Sequence, residues 1–541
     1  MAAASVVAAG SLAGDAVVYV CPLAAPPPST ARTRLTSIPV STPVRRRDII
    51  TVWVRLHRWL LDGEPEPCHD LLMTEPHRSL WLEQAYTGST DAPVLNGGDH
   101  ADVAIIGGGY LGLWTAILLK EREPSLDVVI VEKDVCGGGA SGRNGGFVLS
   151  WWPKLATLIK LAGEREAVEL AQASEAAISE IEEACERYHI DAQFKRGGWL
   201  WTAATEVQRG AWSPVVELCD SLGVAPFTHL SPEEIARRTG SPVHLEGVFE
   251  ASAATVHPGY LVRGLVRAAQ QLGVRIYEHS PMIELDRRRP AIIRTPNGAL
   301  TADVVVLAVN AHAAGMRELH RKIVAISSDI VSTPPIVDRL EEIGWTGGES
   351  ISDSQLQVHY YRTTEDGRIA FGKGGWGIAL GARMGASFDR DASRAADVTL
   401  DFRRLYPALA DVPITHDWSG PIDRSPSGIP LFGNLGGRPH ILYGAGFSGN
   451  GVGPSRLGGR ILADLVLGET DGFAGSALVN GKPGSFPPDP IRYVGAHVVR
   501  TCVASKERAE AVGKQPNRLA NALARLAPAG MIPKKGADGD H

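Results

Sequence analysis

Gly107, Gly109 and Gly112 stand in the run IIGGGYLGLWTA (105–116), and Glu132 closes the apolar run VVIVE twenty residues beyond the third of them. G-x-G-x-x-G between a strand and a helix has a defined use. The first glycine permits a tight turn, the second lets backbone approach a pyrophosphate, and the third lets helix and strand pack closely. Tyr110 and Leu111 then open a helix whose first N–H groups and partial positive charge face the phosphates. Glu132, with Lys133 beside it, stands where a carboxylate accepts the hydroxyls of an adenosine ribose, and an acid there disfavours a 2′-phosphate. These residues predict a dinucleotide site, which NAD and FAD fit equally well.

The next cluster separates the two. In CGGGASGRNGG (136–146), Gly139, Ala140, Ser141, Arg143, Asn144, Gly145 and Gly146 would let backbone amides approach a planar ring system, with Ser141 and Arg143 in reach of phosphate oxygens. The cluster resembles the second flavin-contacting loop of the D-amino-acid oxidase and sarcosine oxidase family of FAD enzymes; a NAD dehydrogenase has no need of it. Three later segments resemble the same family. ATVHPGYLVRGL (254–265) is similar to the segment leading into a helix that supports the cofactor, and LTADVVVLAVNA (300–311) to a buried strand, with Val309-Asn310 in place of the more usual Thr-Gly. GAGFSGNGVGPSRLGGRILADLVLG (444–468) is similar to the last glycine loop and its helix. There Gly446, Ser448, Gly449, Asn450, Gly451 and Val452 would face the flavin pyrimidine, although Asn450 replaces a common histidine.

The resemblance spans roughly residues 79 to 470. The segments CGGGASGRNGGFVLSWWPK, RGGWLWTA and FPPDPIRYVGAHVVR look nearest to the aminophosphonate oxidoreductase branch, then to the γ-glutamylputrescine oxidase branch. It implies an enzyme with non-covalent FAD that oxidises the C–N bond of a small amine or amino acid by hydride transfer to flavin, the imine then being hydrolysed. Oxygen or another acceptor would take the electrons. Two alternatives stay open: a flavin dehydrogenase of a hydroxy acid or alcohol, and an FAD-bound non-catalytic subunit. Cys136, close to the flavin loop, reads as a buried thiol rather than an attachment point.

Substrate-side candidates come from the second half. In QVHYYRT, His359 and Tyr361 share one strand face, Tyr360 and Arg362 the other, and one pair is expected to face the flavin. Arg362 could hold an anion bidentately, and Lys373, in FGKGGWG, could place a cation near the ring. Trp151 and Trp152 could wall the cavity or pack in the core. Asp423 and Arg424 could pair with each other or reach substrate.

The elements that position these residues imply an α/β fold. A Rossmann-like, glutathione-reductase-type FAD domain with a parallel sheet (73–180, 246–315 and 425–470) is interleaved with an α+β substrate domain of mostly antiparallel strands (181–245 and 316–424). Strands are expected at Asp102 to Ile106 and Asp127 to Glu132, with a helix between them from Tyr110 to Arg122. Residues 471–541 read as a tail with one helix near Pro516 to Leu526 and a polar end. Residues 1–72 read as a disordered or non-native extension, with Met73 as a candidate start, and neither a secretory nor a twin-arginine signal is convincing. The net charge of −6 offers no field for nucleic acid or anionic lipid, six scattered cysteines suit a reducing cytoplasm, and no apolar run is long enough to span a membrane.

Overall fold

The structure, a computed structural model, describes residues 4–8, 18–22, 77–86, 92–481 and 484–527. The chain divides into two units, Met1–Glu75 and Pro76–His541. In the first, strands Ala4–Ala8 and Val18–Pro22 pair antiparallel, within a stretch expected to lack regular structure. The rest of 1–72, and Met73, lie outside the described residues.

Two eight-stranded sheets build the second unit. The first has a parallel centre: Arg275–Tyr277, Val128–Val131, Gly97–Ile106 and Gly298–Leu307 follow one another in space. Val128–Val131 is buried at every position, as a strand covered on both faces must be. Gly298–Leu307 splits its outer edge: its first half pairs antiparallel with Ala291–Arg294 and its second half parallel with Ile441–Ala445. The opening strand is longer than expected, because Gly97 and Gly98 pair with Gly298 and Ala299 instead of breaking the chain. Helices Tyr110–Arg122, Pro258–Gln271 and Pro454–Val466 contribute their buried faces to the core on this sheet.

The second sheet runs His416–Arg424, Val324–Ser332, Ile369–Ile378, His359–Thr363, Ser350–Asp353, Trp199–Ala203, Glu246–Glu250 and Thr228–Leu230. All its pairs are antiparallel except Ser350–Asp353 with Trp199–Ala203. Glu246–Glu250, which the sequence assigns to the cofactor half, belongs here because all five of its residues pair with Trp199–Ala203.

The last elements among the described residues are helices Ile491–Ala511 and Arg518–Ala524. Sequence reading finds only the second. The first carries β-branched Val494, Val498, Val499 and Val503 and, in its second turn, Gly495, all poor helix formers, so its packing overrides local preference. Among the described residues no helix is long and apolar enough to cross a membrane.

Candidate active site

A cavity of about 930 Å³ is lined by residues of both sheets and by the first C-terminal helix. On its first-sheet side Gly107 turns with φ +111°, and a Cβ there would lie 2.4 Å from the Ala308 carbonyl oxygen. A Cβ at Gly112 would lie 2.0 Å from the Gly107 oxygen, so the helix starts pressed against the turn. The Tyr110 N–H donates to Ser141 Oγ at 2.9 Å, which seats the second glycine loop on the helix N-terminus. Glu132 is buried and accepts the N–H of Gly108 at 2.8 Å on one oxygen and of Asp134 at 3.0 Å on the other. Burial raises its pKa, while these two donors hold the charged form in place.

Ser141, Arg143 and Asn144 shape their loop from within. Asn144 accepts the Gly146 N–H and donates to the Ala140 and Ser141 carbonyls. Arg143, expected to reach phosphate, donates instead to the carbonyls of Gly138 at 2.8 Å and His77 at 2.6 Å, and pairs with Asp389 at 3.3 Å. In the last glycine loop, Asn450 donates to the Ser150 carbonyl at 3.0 Å. Asp423 accepts the N–H groups of Gly446 at 2.6 Å and Ser448 at 3.3 Å.

Gly107, Gly109, Tyr110, Leu111, Glu132, Lys133, Gly139, Ala140, Ser141, Arg143, Asn144, Gly145, Ser448, Gly449, Asn450, Gly451 and Val452 all line the cavity; Gly112, Gly146 and Gly446 lie behind it. The four substrate-side candidates do not line it. His359 is fully buried between Asp353 at 2.7 Å and Asp401 at 3.0 Å; burial opposes its charge, but the two carboxylates outweigh that and raise its pKa. Tyr361 stacks on Phe371 in the core and bonds His244. Lys373 pairs with Asp401 at 2.7 Å. Arg362 donates to the carbonyls of Gly145 at 2.8 Å and Val256 at 2.6 Å, and so clamps the flavin-loop segment instead of meeting substrate. Trp151 and Trp152 are core residues.

Two residues that the sequence left as alternatives do line the cavity from the second sheet. Tyr360, on the Arg362 face, lines it and meets Ser328 Oγ at 2.6 Å through its hydroxyl. Arg424 lines it too. Neighbours on a strand point to opposite faces, so Asp423 and Arg424 do not pair. Among the described residues no carboxylate lies within 4 Å of the Arg424 guanidinium. Burial lowers its pKa to about 10, and burial followed by the Arg424 charge pushes the nearby Lys154 well down.

A sequence profile of the FAD-dependent oxidoreductase (DAO) family matches residues 102–465. The chain belongs to that family. It is 30% identical over 418 residues to gamma-glutamylputrescine oxidoreductase of Escherichia coli, covering 77% of this chain and 94% of that protein. It is 29% identical to a probable oxidoreductase, OrdL, of Haemophilus influenzae, covering 70% and 86%. Among solved structures, glycine oxidase from Geobacillus kaustophilus shares the fold with a TM-score of 0.58 at 22% identity, covering 69% of this chain and 96% of that one.

The residues present fit the FAD of this DAO-family enzyme. Each Glu132 oxygen has lone pairs to spare for a ribose. A Cβ at Gly139 would meet no protein atom within 4 Å, so cavity space adjoins its backbone, and the buried Asn310 Oδ1 in the lining has no partner among the described residues. No described cysteine lines the cavity, and burial pushes the Cys136 thiol well up. Asp423 gives a direct check. Burial raises its pKa to about 6, so folding takes up a proton between the ordinary carboxylate value and pH 6, and its contribution to stability falls as pH rises through that window. Protonation costs the Gly446–Ser448 turn an acceptor. Fluorescence titration of the apoprotein should therefore show FAD binding weakening below pH 6. In Asp423→Asn the affinity should be about tenfold lower at pH 7.5, one hydrogen bond to a charged group, and no longer vary through that window.

Proposed function

We propose that this FAD-dependent oxidoreductase oxidises the C–N bond of a small amine that also carries an anionic group, an amino acid or an aminophosphonate. One observation carries the reading: Arg424 presents a guanidinium to the cavity with no carboxylate of the described protein beside it. A half-buried cation is costly until an anion meets it, and a carboxylate or phosphonate matches its fork. The names of relatives support the amine half, since gamma-glutamylputrescine and glycine are nitrogen substrates.

Bound FAD supplies the hydride acceptor, and water hydrolyses the imine product. The chain's own work is orientation and charge. Arg424 fixes the anionic end, while Tyr360 and its Ser328 bond present a ring and a hydroxyl to the cavity. The Arg424 charge also lowers the pKa of an amine bound close by, favouring the neutral form whose lone pair assists hydride departure. Mixing the yellow protein anaerobically with glycine, 2-aminoethylphosphonate, γ-glutamylputrescine, glycolate and lactate tests the proposal. Bleaching of the flavin by an anionic amine supports it. Bleaching by the hydroxy acids alone moves the chemistry to C–O oxidation, and bleaching by none of them points to a non-catalytic subunit. Admitting oxygen afterwards reads out the acceptor.

A further inference from the structure

One wall of the cavity lies beyond the region matched by the family profile: the helix Ile491–Ala511. Ile491, Gly495, Val499 and Val503 recur every four residues, share one face, and all line the cavity. Exposure falls from 66% at Ile491 to 3% at Val503, so the face descends from rim to interior over about 18 Å. Both ends are fixed. At the rim, Arg492 pairs with Asp489 and donates to the carbonyls of His320 and Ile323. At the inner end, Glu507 accepts the N–H of Gln357, itself a lining residue, at 3.1 Å.

Gly495 is the informative position. Glycine inside a helix is markedly less favourable than alanine. A Cβ there would meet no atom within 4 Å, so no neighbour demands its absence. The space it leaves opens on the cavity into which Arg424 also projects.

We propose that this face is a subsite for an extended apolar chain of the substrate. The anionic group pairs with Arg424, and the carbons beyond lie along Val499 and Gly495 towards the rim. This rests on the reading of Arg424 as an anion anchor, and it makes the preferred substrate a linear anionic amine several carbons longer than glycine.

Unreactive carboxylates test the subsite without turnover. Acetate, butyrate, hexanoate and octanoate are titrated into the FAD-loaded protein and followed by the shift of the flavin absorbance. In the parent, affinity should rise about two- to fourfold per methylene, as apolar surface is covered. Gly495→Leu, which improves helix propensity, should fill the notch and cut the acetate-to-hexanoate ratio of Kd values at least tenfold; Val499→Ala should lower it less. Carboxylates that bind with no dependence on chain length, or a ratio untouched by Gly495→Leu, overturn the subsite. Failure of every carboxylate to perturb the parent spectrum would instead overturn the Arg424 anchor on which it stands. A normal chain-length series in a protein that no amine bleaches refutes the amine chemistry while supporting the wall.

Discussion

Arg424→Met should lower kcat/KM for an anionic amine by about thirtyfold or more, the lower end for removing one partner of a hydrogen-bonded charge pair that substrate binding buries. The thermal midpoint of the substrate-free protein should not fall. Both expectations follow from the same geometry: the guanidinium lines the cavity, burial works against its charge, and no described carboxylate compensates it. Methionine keeps the length of the stem and removes a cation that folding must desolvate. Arg424→Lys should recover part of the activity, because it keeps the charge and loses the fork. Steady-state kinetics with an anionic and an uncharged amine of equal size decide the matter. An equal loss for both would show that Arg424 supports the site without reading the anion.

Two glycine substitutions should separate contact with the cofactor from support of the fold. Gly139→Ala places a methyl where no protein atom stands within 4 Å, on a residue lining the cavity. Apoprotein stability should stay within about 0.5 kcal/mol of the parent. FAD affinity should fall at least tenfold, because the methyl holds the ring system off the backbone. Gly112→Ala places its methyl 2.0 Å from the Gly107 carbonyl, which belongs to a turn pinned by the Val131 carbonyl. Backbone cannot swing aside as a side chain can, so a loss of about 3 kcal/mol, the upper end for overpacking, is expected together with loss of flavin. Denaturant unfolding of the two apoproteins, beside their flavin content, provides the readout. A Gly139→Ala protein that binds FAD with parental affinity would place the ring system elsewhere.

The contrast between the two halves of the site has a physical origin. The dinucleotide half was legible because its parts are neighbours in the chain: strand, turn, helix and second strand occupy Gly97 to Glu132, and Gly112 answers a clash with the Gly107 carbonyl in the same turn. The substrate half was not. His359, Arg362 and Lys373 carry the right chemistry, yet Asp353 and Asp401, the Gly145 and Val256 carbonyls, and Asp401 again occupy them. For Arg362 and Lys373 those partners lie far along the chain, and nothing local announces them.

By itself, then, the sequence determined a parallel-sheet dinucleotide fold, membership of an FAD-dependent family and the two glycine loops, since local spacing and backbone sterics suffice for these. Only the tertiary structure decided that Arg424 and Asp423 both line the cavity, Asp423 also bracing the last loop, and that a helix beginning at Ile491 walls a site whose first glycine is Gly107. Which face of a strand meets which cavity, and which carboxylate reaches which cation, depends on how sheets and helices close on one another. No run of neighbouring residues encodes that closure.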